Sequence, residues 1–522
     1  MPKAAFVSIL NDVLGPVMRG PSSSHTAGSY HIGRIVRSLL GDEPRTVSFT
    51  FDPDGSYART YRQQAVDLAL AAGVMGWPIT DARFPGALDI ARRSGIKLNF
   101  RTSRLPGARH PNTVRILAIS KDGGRLETTA ESTGGGGIAF TKVDGRPVEI
   151  DGKSHETIVV STGPAGRRIA DLMAGAGRDL AAPVRWAGDG ESLVAWMKDA
   201  PLDPAIRFQI ESIPGVRSLR TAAPVFYIRK GNPLFLNADG MVRISESRRW
   251  SLGKAALTYE SRLLGLPERD IIAEVLRRYS VMKAAVEQGL RGRSLAMQLL
   301  RPSAGRILRA EESGRMAVGG IHARAAARAM AVMHVTNSSG IVCAAPTGGS
   351  AGVLPGVVVT LAEEMKAGDR KTALMLLAAS AVGLIVARRA TFAAEVAGCQ
   401  VEIGAAGAMA ASAVVEFAGG SARLAADAAA ISLQNTMGSV CDLVQGMCEI
   451  PCHTRNAAAA SNAFVCADLV LGGYRNPIPL DETIDAAFES GKMLPAELRC
   501  TARGGIALAP SAMALPRLRT PR

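Results

Sequence analysis

The 522-residue sequence predicts an α+β N-terminal part followed by a mainly α-helical C-terminal domain. Up to about residue 230, short alternating runs such as Thr46–Phe51 and Ile138–Val143 read as strands between glycine turns. From about Trp250 onward, Ala, Leu, Met and Arg recur with long helical periods, broken at Gly348–Gly349, Gly398, Gly419–Gly420 and Gly472–Gly473. The cysteines divide the chain in the same way, since all seven (343, 399, 441, 448, 452, 466 and 500) lie in the second half. At roughly 100–200 residues per domain, this pattern predicts an α+β domain over 1–155, a small domain over 156–230 and a helical domain over 231–522.

In chain order, Asn11–Val17 and His31–Leu40 have helical periodicity, Thr46–Phe51 alternates as a strand, and Ala65–Val74 is again helical. Val114–Ser120, Ile138–Val143 and Thr157–Ser161 follow as strands. Residues 156–230 repeat a strand and helix rhythm through Thr157–Val160, Arg168–Ala174, Ser192–Trp196, Ala205–Ser212 and Pro224–Ile228. There the segment ESIPGVRSLR resembles the helix end and strand entry of small ligand-sensing ACT-type domains, with a structural spacer as the plain alternative. In the helical half, Ala and Gly permit close helix approach around a buried centre. Its most apolar stretch, Ala373–Ala387, is shorter than the ~20 residues of a membrane span, which predicts a buried core helix. The stretch from Pro510 to Arg522 reads as a loose basic tail.

With 47% hydrophobic and 20% charged residues, the composition excludes a disordered or collagen-like chain. The 61 Lys and Arg against 46 acidic residues leave +15, a field that steers anions of any size toward the surface. Aromatic residues at 5% argue against stacking platforms for single-stranded nucleic acid, so no nucleic-acid partner is expected. An odd number of cysteines confined to one half is no disulfide framework and points to a reducing, cytoplasmic setting. Asn11 and Asp12 interrupt the first apolar run, so no secretory h-region is expected there.

The chemistry-bearing residues cluster in a few segments. No CxxC pair is present, so a zinc ribbon or a closed electron-transfer cluster has little support. Cys399, Cys441 and Cys452 each adjoin a turn signal, where backbone amides can hydrogen-bond cluster sulfurs. Three thiolates holding four irons would leave one iron open, whereas spacing alone also suits ordinary buried cysteines. Ser22-Ser23-Ser24-His25-Thr26 ahead of a helix suits an anionic carboxylate, or simply caps that helix. Thr347, Gly348 and Gly349 offer a second such cradle or a plain turn. His25 and His110 are the candidate acid–base groups because histidine titrates near neutral pH. His453 reads as either a neighbour of Cys452 or exposed filler.

Several long motifs carry a resemblance that spans nearly the whole chain. GPVMRGPSSSHTAGSYHIGR from Gly15 and HPNTVRI from His110, which contains Asn112, resemble the β part of iron–sulfur-dependent L-serine dehydratases. AAPTGGSAGVLPG from Ala344, GCQVEIGAAGAMAA from Gly398 and CDLVQGMCEIPCHTRNA from Cys441 resemble the α part, so the two parts are fused here. The resemblance implies a [4Fe–4S] cluster on Cys399, Cys441 and Cys452, an open iron acting as Lewis acid on the β-hydroxyl of L-serine, and no pyridoxal phosphate. It implies pyruvate and ammonia as products, a place in amino-acid catabolism and gluconeogenesis, a small anionic hydroxy amino acid or hydroxy acid as partner, and a homodimer. Arg455 and Asn456 match the family's Arg-Asn pair, either as a carboxylate clamp or as structural groups. Cys343, Cys448, Cys466 and Cys500 fall outside the matched motifs and read as packing residues.

Departures from the family pattern fall on chemistry. Gln64 stands where a family histidine is expected, and glutamine cannot exchange a proton near neutral pH. Gly348 replaces an asparagine, Leu443 a proline, and RPSAGRIL keeps only loosely a serine–glycine loop. The family's C-terminal cysteine has no expected counterpart in LPRLRTPR, and Cys500 reads as too early to take its place. Three readings follow: an L-serine dehydratase, a dehydratase or isomerase of another hydroxylated carboxylate or amino acid, or a non-catalytic ligand-binding relative.

Overall fold

The computed structural model describes residues 6–162, 165–188 and 190–518. The chain divides into two compact units. One joins the segment up to Ser23 with Gly231 to Thr520, and the other contains Ser24–Lys230.

The second of these is the α+β part. Its six-stranded sheet has the order Lys97–Thr102, Pro44–Phe51, Thr113–Ser120, Arg125–Gly134, Gly137–Val143 and Arg146–Ile150. Only the first pair is parallel; the others are antiparallel, and from Thr113–Ser120 onward they join strands consecutive in sequence. Period-two alternation puts Val47, Phe49 and Phe51 on the buried face. The helices Gly28–Leu40 and Val66–Val74 pack together in the same core through Ile32, Ile35, Val36 and Leu70.

A four-stranded antiparallel sheet follows, ordered Val216–Ala222, His155–Thr162, Glu191–Lys198 and Val184–Gly188, with helices Ala165–Ala174 and Pro204–Glu211. This is a β-α-β-β-α-β chain order of the ferredoxin-like kind. The last strand lies at Val216–Ala222 and not at Pro224–Ile228. Pro224 cannot donate to a ladder, and the Val225 and Phe226 amides donate instead to the Gly152 carbonyl at 2.9 and 3.1 Å.

The helical unit is built around two helices, Asp369–Arg389 and Ile403–Ala418, that pack on each other. Asp369–Arg389 and the stretch Cys399–Ala418 have the length and composition to cross a membrane, yet each is 78% buried among other helices of the unit. Their alanines allow that close packing, as the sequence predicts for Ala373–Ala387. From Pro510, one helical turn Pro510–Met513 leads to a segment held by Gln445, which donates to the Pro516 carbonyl and accepts from the Leu518 amide. Residues 519–522 of the expected basic tail lie outside the described residues.

The first described residues fold with this helical unit. The helix expected over Asn11–Val17 is instead a single wide turn, Ile9–Val13, followed by a strand, Val17–Arg19. Pro16 disfavours helix at Gly15, and a buried carboxylate captures the segment. Glu260 accepts from Ser8 Oγ at 2.5 Å, the Ile9 amide at 2.8 Å and the Leu10 amide at 3.0 Å. Tyr259 donates its hydroxyl to the Val7 carbonyl, Arg278 donates to the Leu10 and Leu14 carbonyls, and Val17–Arg19 pairs antiparallel with Ile341–Cys343.

Removing the Glu260 carboxylate strands three buried donors. Glu260→Ala is therefore expected to destabilise the helical unit by on the order of 3 kcal/mol, read as a lowered urea midpoint. Glu260→Gln keeps one acceptor oxygen but turns an NH2 toward the donors of the other, so a large part of the loss should remain.

Candidate metal centre

Three chain segments far apart in sequence bring their cysteines to one buried corner of the helical unit. Cys399 opens the short turn Cys399–Val401 just ahead of the buried helix Ile403–Ala418, and its amide donates to the Ser439 carbonyl at 3.0 Å. Cys441 lies on a two-residue strand, Cys441–Asp442, paired in parallel with Arg499–Thr501. Cys452 is the first residue of the helix Cys452–Leu471. A helix start presents unsatisfied amides and positive charge, which favours an anionic ligand.

The Cys399 and Cys441 sulfurs and a Glu402 carboxylate oxygen all lie within 4.8 Å of one another. Hydrogen bonds with Cys399 and Cys500, then burial, push the Cys441 thiol well above the usual thiol range. A hydrogen bond with Cys448, then burial and the proximity of Cys399, does the same to Cys452. Two thiols, Cys441 and Cys452, held protonated by bonds with neighbouring thiols and by burial fit a metal ion or cluster, whose positive charge would take the place of those protons. Of the three cysteines expected as ligands, Cys399 and Cys441 are thus brought together with Glu402, while Cys452 lies outside that group and feels the charge of Cys399. Cys448 and Cys500, expected to be packing residues, border the same group and supply two further thiols. Cys343 and Cys466 are buried outside it, where burial lifts each to about 11.

The surrounding polar groups hold these segments. Arg455 Nη1 lies 2.9 Å from Asp442 Oδ1, 2.7 Å from the Val440 carbonyl and 3.8 Å from Cys399 Sγ, placing positive charge beside a thiol. Asn456 is fully buried; its Nδ2 donates to the Gly349 and Cys452 carbonyls, and its Oδ1 accepts from the Gly352 amide. The Arg-Asn pair matched from sequence is therefore engaged with the chain itself. Glu449, fully buried between Cys448 and Cys452, accepts from the amides of Gln298, Leu299 and Leu300 at 2.6 to 2.9 Å. His453 is buried, not exposed filler. Its Nε2 lies 3.1 Å from Asn337 Nδ2, and burial, then His334, lowers it to about 3.

The turn after Ala344 adjoins the centre. Thr347 Oγ1 donates to Glu402 Oε1 at 2.6 Å, and the Gly348 amide lies 3.5 Å from Ser23 Oγ. A Cβ at Gly348 would sit 2.9 Å from the Pro21 carbonyl oxygen and one at Gly349 2.7 Å from Glu402 Oε1. The segment Pro21 to Ser23 thus fills the space that a side chain at 348 would need. Burial raises Glu402 to about 7, while its bond from Thr347 lowers it. Ser22, Ser23, Thr347, Gly348 and Gly349 are therefore neighbours within the helical unit.

The remaining predicted residues gather within the α+β unit. His25 Nδ1 lies 3.1 Å from Ser24 Oγ and Nε2 2.9 Å from Ser56 Oγ, with its ring edge-on to Tyr57. Thr26 donates to the Gln64 carbonyl at 3.0 Å. Ser132 links two segments, since its Oγ donates to the Ser24 carbonyl and its amide to that of Asn112. The Asn112 amide donates to His110 Nδ1 at 3.2 Å. Burial lowers His25 and His31 to about 4, so both rings are neutral at pH 7.

Sequence reasoning passed over Glu402, Glu449, Cys448 and Cys500 as site residues. Glu402 had a local signal, standing three residues after Cys399 at a helix start. Cys500 had none, because its place depends on the strand pairing of Cys441–Asp442 with Arg499–Thr501.

The family described as serine dehydratase alpha chain matches residues 190–507. The probable L-serine dehydratase alpha chain of Bacillus subtilis (strain 168) is 36% identical over 278 residues, 53% of this chain and 93% of that protein. The probable beta chain from the same organism is 42% identical over 149 residues, 28% of this chain and 66% of its own length. An L-serine dehydratase of Streptomyces coelicolor is 32% identical over 282 residues, 52% of this chain and 61% of its own length.

The neutral histidines set an acid limit on the α+β unit. Between pH 6.5 and about 4 the unfolded chain binds protons that the folded rings refuse, so stability falls as pH falls through this window. Each ring costs the fold about 3 kcal/mol by about pH 4 and nothing at pH 7, where it is neutral in both states. Unfolding midpoints measured from pH 7 to 4 should drop steeply, and His31→Gln should flatten that slope.

Proposed function

Because the chain belongs to the L-serine dehydratase family, with a β-type and an α-type part joined in one polypeptide, we propose that this lyase converts L-serine to pyruvate and ammonia using a [4Fe–4S] cluster on Cys399, Cys441 and Cys452. What supports the reading is the close approach of the Cys399 and Cys441 sulfurs to Glu402, with Cys452 buried near Cys399. When bound, the cluster supplies a Lewis-acidic iron that makes hydroxide a tolerable leaving group.

The chain's own residues would do the rest. Within the helical unit, Ser22, Ser23 and the Thr347–Gly349 amides are assigned to the substrate carboxylate, an anion that short hydroxyls and amides suit. Arg455 supports charge on Cys399, and Asn456 fixes the Gly349–Gly352 turn against Cys452. Within the α+β unit, Ser24, Thr26 and Asn112 are assigned to hydrogen-bonding substrate, and His25 and His110 to proton transfer. A neutral His25 can accept a proton at pH 7. Loss of the α-proton and the β-hydroxyl gives an enamine, which tautomerises to an imine and takes up water to release pyruvate and ammonia. No pyridoxal phosphate is required, and a cytoplasmic homodimer belongs to the same proposal.

A second reading rests on one residue. Gln64 is buried where the family carries histidine, which favours a related β-hydroxy acid as substrate.

Anaerobic reconstitution with iron and sulfide should give visible cluster absorbance, four irons per chain and pyruvate from L-serine. Cys399→Ala should remove both iron and turnover; a variant that keeps both overturns the assignment. Serine, threonine and hydroxy-dicarboxylates assayed side by side separate the two readings, with turnover of serine alone eliminating the second.

A further inference from the structure

Five thiols border the centre, and the proposed function uses three. The remaining two are each placed against a proposed ligand, Cys500 against Cys441 and Cys448 against Cys452. They are also the more accessible member of each pair, since Cys448 and Cys500 are half-buried while Cys441 and Cys452 are buried.

Backbone geometry favours the first pair. Cys441 faces Arg499 and Asp442 faces Thr501 in a parallel ladder, with a bulge at Cys500. Cys500 follows directly on the residue that faces Cys441 across this ladder, and a disulfide needs Cα atoms about 4.4–6.8 Å apart. Cys500 holds φ at 60°, an uncommon conformation for a side chain beyond glycine. Asp442 also accepts from the Ile506 amide at 2.7 Å, tying the Arg499–Thr501 strand and the segment after it to the Cys441 strand. The second pair spans a turn closed by the His453 amide donating to the Glu449 carbonyl at 3.1 Å, with Glu449 fixed by three amides.

We propose that Cys500 and Cys448 are reversible oxidation sites which, in the metal-free chain, form disulfides with Cys441 and Cys452 and leave Cys399 as the free thiol. The inference rests on reading Cys399, Cys441 and Cys452 as metal ligands. Hydrogen peroxide oxidises the accessible thiol to a sulfenic acid and releases water. The buried partner's sulfur then attacks that sulfur, a second water leaves with the thiol proton, and the S–S bond forms. Each disulfide consumes one peroxide and two thiols, a two-electron oxidation. A dithiol reductant reverses it by exchange. Two of the three proposed ligands are thereby withheld from metal until reductant returns, and are kept from irreversible sulfinic oxidation.

The test uses the full metal-free chain, exposed to millimolar hydrogen peroxide, alkylated and digested without reduction by trypsin and a glutamate-specific protease. Mass spectrometry should find the peptide beginning at Cys500 joined to that carrying Cys441, Cys448 joined to Cys452 across the cut at Glu449, and Cys399 alkylated. Cys500→Ser should lose the first link and keep the second, with unchanged circular dichroism. Iron binding by the oxidised chain should fall to background and return with dithiothreitol. A dominant Cys399–Cys441 link, or sulfinic acids without links, overturns the proposal. Because the mapping needs no metal, its result stands apart from failure of the reconstituted chain to build a cluster or turn over serine.

Discussion

Burial of several thiols at one point is the constraint on which the functional half of this molecule depends. Thiolates cannot be left uncompensated in an apolar interior, so Cys441 is held protonated by Cys399, Cys500 and burial, and Cys452 by Cys448 and burial. Positive charge at the same point reverses that preference, because the donors ionise as they coordinate. A metal ion or cluster held at this corner would therefore satisfy the ionised thiols as burial satisfies the protonated ones. Arg455, against Asp442 and beside Cys399, adds fixed positive charge to whichever state is present.

Convergence needs rigid segment ends, and the fold supplies them by clamping backbone with buried polar side chains. Asn456 joins the Gly349–Gly352 turn to the first turn of the Cys452 helix. Glu449 gathers three successive amides from the 298–300 loop. Glu260 likewise takes the Ser8 hydroxyl and the Ile9 and Leu10 amides near the first described residues. In each case a single polar group satisfies several backbone partners, which offsets the cost of burying it. The alanine-rich helices behind these clamps set the distance between them but do not choose which residues face the corner.

Much of the architecture was legible in the sequence because it follows from periodicity. Alternation in Thr46–Phe51 and long helical periods after Trp250 report which face is buried, and the structure follows them. Cys399, Cys441 and Cys452 were legible because each lies within a long motif. What periodicity could not report were features decided by distant partners. The wide turn at Ile9–Val13 exists because Glu260, about 250 residues away, takes its first amides. The last strand of the four-stranded sheet ends at Ala222, before Pro224, because the amides that follow turn to Gly152. Cys500 joins the thiols only through a two-residue parallel ladder, and no local pattern marks so short a strand.

Gln64 separates what a position does with its backbone from what it does with its side chain. Its amide donates to the Thr60 carbonyl and its carbonyl accepts from Thr26, so this point anchors the turn that carries His25 whatever side chain it bears. Replacement of a family histidine here thus leaves the scaffold of the Ser24–Thr26 turn in place and removes only a titratable ring. The neighbouring imidazole of His25 stays neutral through burial, not through an ion pair. Its protonation state is therefore set by the depth of the turn, and a glutamine at 64 adds no charge that would move it. The α+β unit accordingly holds the buried neutral imidazole of His25 against Ser24 and Ser56.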